Sequence, residues 1–181
     1  CFPLVSKYFV ENNFVFIKFN FSHNGTTLEN PTIFDDLESF GNNNFSKELF
    51  DLNKVIEFAY DKIKNPEITL LGHSRGGGIS ILKSSIDPRV KKIVSWASPS
   101  NFLNRMDEER IDLWKEKGVI YVYNGRTKQN MPMYLQFYED CIKNRDRLDI
   151  RKAVINLTIP QLIVHGDSDP TVLVDEAKDI H

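Results

Sequence analysis

The stretch Ile68-Thr69-Leu70-Leu71-Gly72-His73-Ser74-Arg75-Gly76-Gly77-Gly78-Ile79-Ser80-Ile81-Leu82 reads as a short apolar strand, a tight turn and a helix of small residues, with a serine at the turn. A strand that runs straight into a helix lifts the residue between them above the carboxyl end of a parallel sheet, at backbone angles that most residues avoid. Side chains two positions before and after that residue would meet where strand and helix pass, so Gly72 and Gly76 are expected to supply the room. The backbone N–H of Arg75 opens the helix and points into the space where a carbonyl oxygen under attack would gather charge. Ser74 is therefore the candidate nucleophile, and the Arg75 amide is the candidate for one half of an oxyanion hole.

A second signal lies downstream. Pro160-Gln161-Leu162-Ile163-Val164 has the pattern of a buried strand, and His165-Gly166-Asp167-Ser168-Asp169-Pro170-Thr171-Val172 follows it, with a further helix opening afterwards. Asp169 is thus expected at the carboxyl end of a strand, on the edge that carries Ser74, where open α/β sheets place their sites. Asp167 suits a turn or a helix cap. Asp169 is the candidate acid, and the order serine before aspartate separates this arrangement from other serine-hydrolase orders.

With those residues in place, the chain resembles the α/β-hydrolase superfamily, in its serine esterase, lipase and aminopeptidase-like branch. The likeness spans nearly the whole chain, from the strand and loop Phe14 to Gly25, through the turn at Ser74, to the His165–Asp169 motif with Val172 behind it. It implies an α/β fold, mainly a parallel sheet flanked by helices with a small cap insertion. It also implies Ser74 as nucleophile, Arg75 as donor of an oxyanion amide and Asp169 as the acid that orients a histidine base.

None of the four histidines fits the base. His73 adjoins the nucleophile on the strand side, points away from it, and in the resembling family packs under the turn. His165 ends the acid's strand and reads as structural, while His23 lies in the loop after the first strand, which is not where this fold supplies its base. His181 follows Asp169 too closely, because 171–180 has room for one helix and none for another strand. The base is expected to be absent from these residues, and the chain, starting at Cys1-Phe2-Pro3 without an initiator methionine, reads as an internal piece of a longer parent. In the family, further strands and a His-Gly loop with the second oxyanion donor precede this region. A degenerate hydrolase is the alternative.

Hydrophobic residues make up 41% of the 181 and charged residues 27%, the balance of an ordinary globular domain. Lys and Arg number 23 against 25 Asp and Glu, giving a net charge of −2 that offers no nucleic-acid footprint. Lys62, Lys64 and the Lys91-Lys92 pair read as solvated charges. Two cysteines, Cys1 and Cys141, make no disulfide framework, and Cys141 is expected to be buried in a helix. No signal-peptide pattern or apolar run long enough to cross a bilayer occurs, and a cytoplasmic setting is expected. No metal-ligand spacing is present, and Arg75-Gly76-Gly77-Gly78 lacks the Lys-Ser/Thr of a P-loop, so no cofactor is expected. The sequence carries no indication of oligomeric state.

Elements alternate along the chain. Phe14–Phe21 reads as a strand, and Glu48–Ile63 as a helix with Leu49, Leu52, Val55, Ile56, Ala59, Tyr60 and Ile63 on one face, Ser46 as its cap and the Asn42–Asn44 triplet as loop. Val90–Ala97 is the strand after the Ser74 helix, so the sheet is expected to be parallel and covered on both faces. From Ser98 to Asn156 the rhythm breaks: a charged helix Asp107–Lys117, then Val119–Tyr123 meeting Asn124-Gly125, a hairpin signal. Met131, Met133, Tyr134, Leu135, Phe137 and Tyr138 follow, suited either to lining a substrate pocket or to forming the insertion's own core. The expected division is a first core part at 1–98, a cap-like insertion at 99–156, and a final core part at 157–181.

The function these readings imply is a serine hydrolase that cleaves an ester, thioester or amide of a small acyl substrate through an acyl-enzyme. The alternatives are a non-catalytic binding protein on the same fold and an acyltransferase with an acceptor other than water.

Overall fold

The computed structural model describes residues 2–103 and 107–181; Cys1 and positions 104–106 of the expected insertion lie outside them. A helix α1 (Phe2–Glu11) leads through a long irregular segment with several turns to a short α2 (Leu37–Gly41) and then α3 (Phe45–Lys62). The unit that carries Ser74 follows: β1 (Ile68–His73), α4 (Arg75–Ser84) and β2 (Val90–Trp96). After it come α5 (Glu108–Lys117), a hairpin of β3 (Val119–Asn124) and β4 (Gln129–Tyr134), α6 (Leu135–Lys143) and α7 (Ile150–Ile155). The described chain closes with β5 (Gln161–Val164) and α8 (Val174–Asp179).

The central sheet is parallel with order β1-β2-β5, and its register aligns His73 with Trp96 and Trp96 with Val164. All three strands therefore end level, which is what brings the loops after β1 and β5 to one edge. Side chains alternate across the sheet. Leu70, Gly72, Ile93 and Ser95 face α4 and are buried, whereas Leu71, His73, Val94, Trp96, Leu162 and Val164 share the opposite face. That face is not covered as expected: Leu162 is 58% exposed and Val164 40%. Among the described residues, no helix is long and apolar enough to cross a membrane.

Segment 14–21 has no regular structure and pairs with no strand among the described residues, although its residues are strong β formers. A strand is a property of a ladder and not of a sequence alone, so strong formers without a hydrogen-bonding neighbour remain open chain. Phe19 and Phe21 still pack against the core. The start of α3 also differs from the sequence reading. Asn44 is the cap, its side chain accepting from the Lys47 amide at 2.9 Å, while Ser46 turns its hydroxyl to Asp140 Oδ1 at 2.6 Å. The asparagine triplet is thus more than loop: Asn44 caps, and Asn43 is buried against Glu48.

The hairpin forms, but the turn is wider than the Asn-Gly pair implies. Four residues, 125–128, connect the strands, Lys128 takes the left-handed conformation (φ 55°), and Asn124 Oδ1 accepts from the Arg126 amide at 3.1 Å. A side-chain acceptor at the strand end organises such a loop as a two-residue turn would not. Met131 and Phe137 are buried, and Phe137 packs on Phe45 of α3 at 4.8 Å and on Trp114 at 6.1 Å, with Met133, Leu135 and Tyr138 partly buried against the same cluster, so much of this stretch extends the main core. Cys141 is buried as expected, and burial, with help from Asp140, pushes its thiol up to about 12.

Candidate active site

The turn at Ser74 is built by close approach. A Cβ on Gly72 would lie 2.2 Å from the Gly76 carbonyl oxygen and 2.6 Å from Ser80 Oγ, so only glycine lets β1 and α4 cross here. Gly76 plays no matching part, because a Cβ there would meet nothing within 4 Å. The other tight positions are Gly77, against Ser98 Cβ at 2.7 Å, and Gly78, against Phe102 and Ile150 at 2.6 and 2.8 Å. The helix thus needs its glycines one and two residues further along than the expected symmetry about the serine, because α4 leans on the loop after β2 as well as on β1.

Ser74 itself has φ 54° and ψ −127°, a conformation that costs a residue with a Cβ on the order of 1–3 kcal/mol. Hydrogen bonds on both sides hold it there: its N–H donates to the Trp96 carbonyl at 2.8 Å, and its carbonyl accepts from the Gly77 amide at 2.8 Å. At the same sheet edge Ala97 also has a positive φ, 48°, as its N–H reaches the Val164 carbonyl at 2.8 Å. Two strained residues without glycine's freedom therefore stand side by side at the strand ends. As the first residue of α4, Arg75 has a backbone N–H with no partner in the helix, and the positive end of the helix dipole adds to it.

Asp169 is held by a different device. Its Oδ1 accepts from the amides of Thr171 at 2.8 Å and Val172 at 3.0 Å, which fixes the carboxylate in the turn between β5 and α8. The Val172 amide first, then that of Thr171, lowers the carboxyl below its ordinary range, and His165 and His73 act in the same direction. Ser74 and Asp169 follow β1 and β5, with β2 between them. Two strand spacings, roughly 10 Å in all, make the gap between the ends of β1 and β5, and Asp169 lies beyond its strand end, in the turn to α8.

No histidine among the described residues is hydrogen-bonded into that gap. His165 bonds the Val172 carbonyl through Nε2 at 2.7 Å, which ties the acid turn to its strand. His73 does not pack under the turn: it is exposed, edge-on to Trp96 at 5.1 Å, because residue 73 falls on the uncovered face of the sheet. His23 stands at an open cavity of about 350 Å³ beside α3, its Nδ1 2.7 Å from Ser22 Oγ, which in turn bonds Asp51 at 2.8 Å. His181 follows α8, its amide bonded to the Lys178 carbonyl, and its ring makes no hydrogen bond to Ser74.

Two site neighbours escaped the sequence reading. Glu48 of α3 is 1% exposed and approaches the Arg75 guanidinium at 3.5 Å, and Asn43 donates to Glu48 Oε1 at 2.7 Å. The signal was present: Phe45, Glu48, Leu49, Leu52, Ile56 and Ala59 form one buried stripe, and an acid within such a stripe needs a partner.

A parallel sheet with a strained serine between strand and helix, and an acid at the same edge, defines the α/β-hydrolase fold. The solved structures to which the chain is similar carry that fold. Est1E from Butyrivibrio proteoclasticus matches at 18% identity over 76% of this chain and 56% of its own, with a TM-score of 0.57. A monoacylglycerol lipase of Paleococcus ferrophilus matches at 14% identity over 77% of this chain and 61% of its own, with a TM-score of 0.58. A putative hydrolase from Agrobacterium vitis matches at 19% identity, covering 78% of this chain and 56% of its own, with a TM-score of 0.55. The chain thus spans little more than half the length of these structures. No protein-family model and no curated protein matches the sequence.

Proposed function

We propose that this chain carries the nucleophile and the acid of a serine hydrolase that cleaves an ester, thioester or amide of a small acyl substrate. The observation that supports this reading is the strained Ser74, at φ 54° and ψ −127°, beside a helix-opening amide, with Asp169 in the turn that follows β5. Strain of that kind persists where surrounding structure over-determines it, and here Gly72 and two backbone hydrogen bonds do so.

In this mechanism Ser74 Oγ attacks the substrate carbonyl and an imidazole in the gap takes its proton. Asp169, already ionised and fixed by two amides, accepts that imidazole's other N–H and holds its tautomer. The Arg75 N–H stabilises the oxyanion of the tetrahedral intermediate. The imidazole then protonates the leaving group, and water hydrolyses the acyl-serine by the same route. None of the four histidines is hydrogen-bonded to Ser74 or Asp169, and this mechanism takes its base from outside these residues. A fluorophosphonate probe on the full-length protein tests the reading: labelling of wild type that vanishes in Ser74→Ala supports it, and an unlabelled folded protein overturns it.

A further inference from the structure

The mechanism uses the backbone of Arg75 and leaves its side chain idle. That guanidinium makes no hydrogen bond among the described residues, is 42% exposed, and lies over the Phe45 ring at 6.0 Å. Its only ion-pair partner there is Glu48, at 3.5 Å. Guanidinium groups usually spread five N–H donors over two or more acceptors, so this one keeps most of its fork for something else.

Glu48 does not neutralise Arg75 as a free carboxylate would. Its Oε1 accepts from Asn43 Nδ2, whereas its Oε2 and Asn43 Oδ1, both buried, have no partner. Each member of a hydrogen-bonded pair thus leaves one acceptor stranded. A single proton on Oε2 resolves both, because the acid O–H then donates to Asn43 Oδ1 and closes a carboxylic acid–carboxamide pair; a carboxylate would leave two unsatisfied buried acceptors. Burial pushes Glu48 upward against the pull of Arg75 and Asn43, and Asp51 on the same helix adds to the rise. From α6, Cys141 faces the same cluster with a thiol kept neutral, and Asp140 is occupied by Ser46 and Asn144.

We propose that Arg75 is the anchor for a carboxylate carried by the substrate of Ser74, so that the site selects esters, thioesters or amides of acids bearing a second, free carboxylate. The proposal rests on the reading of Ser74 as nucleophile. The planar fork matches two carboxylate oxygens, the Phe45 face steadies its plane, and a neutral Glu48 leaves its charge for the incoming group. Because Arg75 is the next residue to Ser74, a group on its guanidinium lies at most about one arginine side chain from the Ser74 backbone, which suits short dicarboxylic half-esters.

Monomethyl glutarate and dimethyl glutarate differ in that one charge, and titrating each while following the Arg75 amide by NMR tests the anchor. The half-ester binds wild type at least about tenfold more tightly than the diester. Arg75→Gln, which keeps the backbone N–H, removes the preference. Glu48→Gln, the isostere of the neutral acid, keeps it, and raising the pH through the titration of Glu48 weakens it in wild type alone. Should Arg75→Gln fail to fold, that pH contrast decides. Equal or undetectable binding of the two esters to wild type, a preference that survives Arg75→Gln, or a preference lost in Glu48→Gln overturns the proposal. Neither titration needs Ser74 to react, so failure of the anchor and failure of serine labelling are separate results.

Discussion

Ser74 and Asp169 both follow a strand of the parallel sheet and stand at one edge of it, yet the chain holds them by different means. The serine turn is locked by packing, with Gly72 against α4, Gly77 against Ser98 and Gly78 against Phe102. The aspartate turn is exposed and held by hydrogen bonds from the two amides that follow it. A proposed nucleophile at an unfavourable backbone geometry needs a rigid frame to keep it there, whereas the proposed acid needs only its carboxylate aimed. The two turns therefore differ in what a substitution does: at the first it acts on folding, at the second on charge.

The largest expected effect is at Gly72. A methyl group 2.2 Å from the Gly76 carbonyl cannot be relieved by rotating a side chain, so Gly72→Ala costs about 3 kcal/mol, read from the denaturation midpoint. Next is Ser74→Gly, which removes the Cβ penalty at φ 54° and raises stability by about 1 kcal/mol in the same measurement, while abolishing fluorophosphonate labelling. A gain of stability on losing the nucleophile separates a strained site from an ordinary buried serine. Gly76→Ala, in open space on the first turn of α4, is stabilising by about 0.5 kcal/mol. A loss as large as that at Gly72 would restore the symmetric room first expected around the serine.

At Asp169 the expected change is one of pH dependence. The carboxyl titrates below its ordinary value in the folded protein, so its contribution to stability is complete above the unfolded value and is lost as the pH falls through the folded one. Melting curves of Asp169→Asn should therefore show a shallower acid limb than wild type, with the variant less stable near neutrality and the two curves converging in acid. Identical acid limbs would mean that the Thr171 and Val172 amides do not hold the charged form.

The contrast between the turns also explains how much could be read from the sequence. Gly72, Ser74 and the strand–helix pattern around them are local, and local sterics are written in residue type. The turn that holds Asp169 is readable for the same reason, since it lies within a few residues of its strand. Segment 14–21 was misread because pairing depends on a neighbour that its own residues do not specify. Gly76 was misread because symmetry about the serine ignored α4's second contact with the loop after β2. Glu48 was overlooked although it sits within the apolar stripe of α3; its partners Asn43 and Arg75 come from the preceding loop and from another helix, and only the fold brings them together.

The reactive centre proposed at Ser74 is tested most directly by where the oxyanion of an attacked carbonyl would lie. A crystal structure of the full-length protein phosphonylated at Ser74 measures it. The predicted result is a phosphonyl oxygen about 2.7–3.1 Å from the Arg75 backbone nitrogen, with an imidazole between Ser74 and Asp169. A phosphonyl oxygen turned away from that amide, or an adduct on any other residue, would contradict the claim that the β1–α4 turn is the reactive centre.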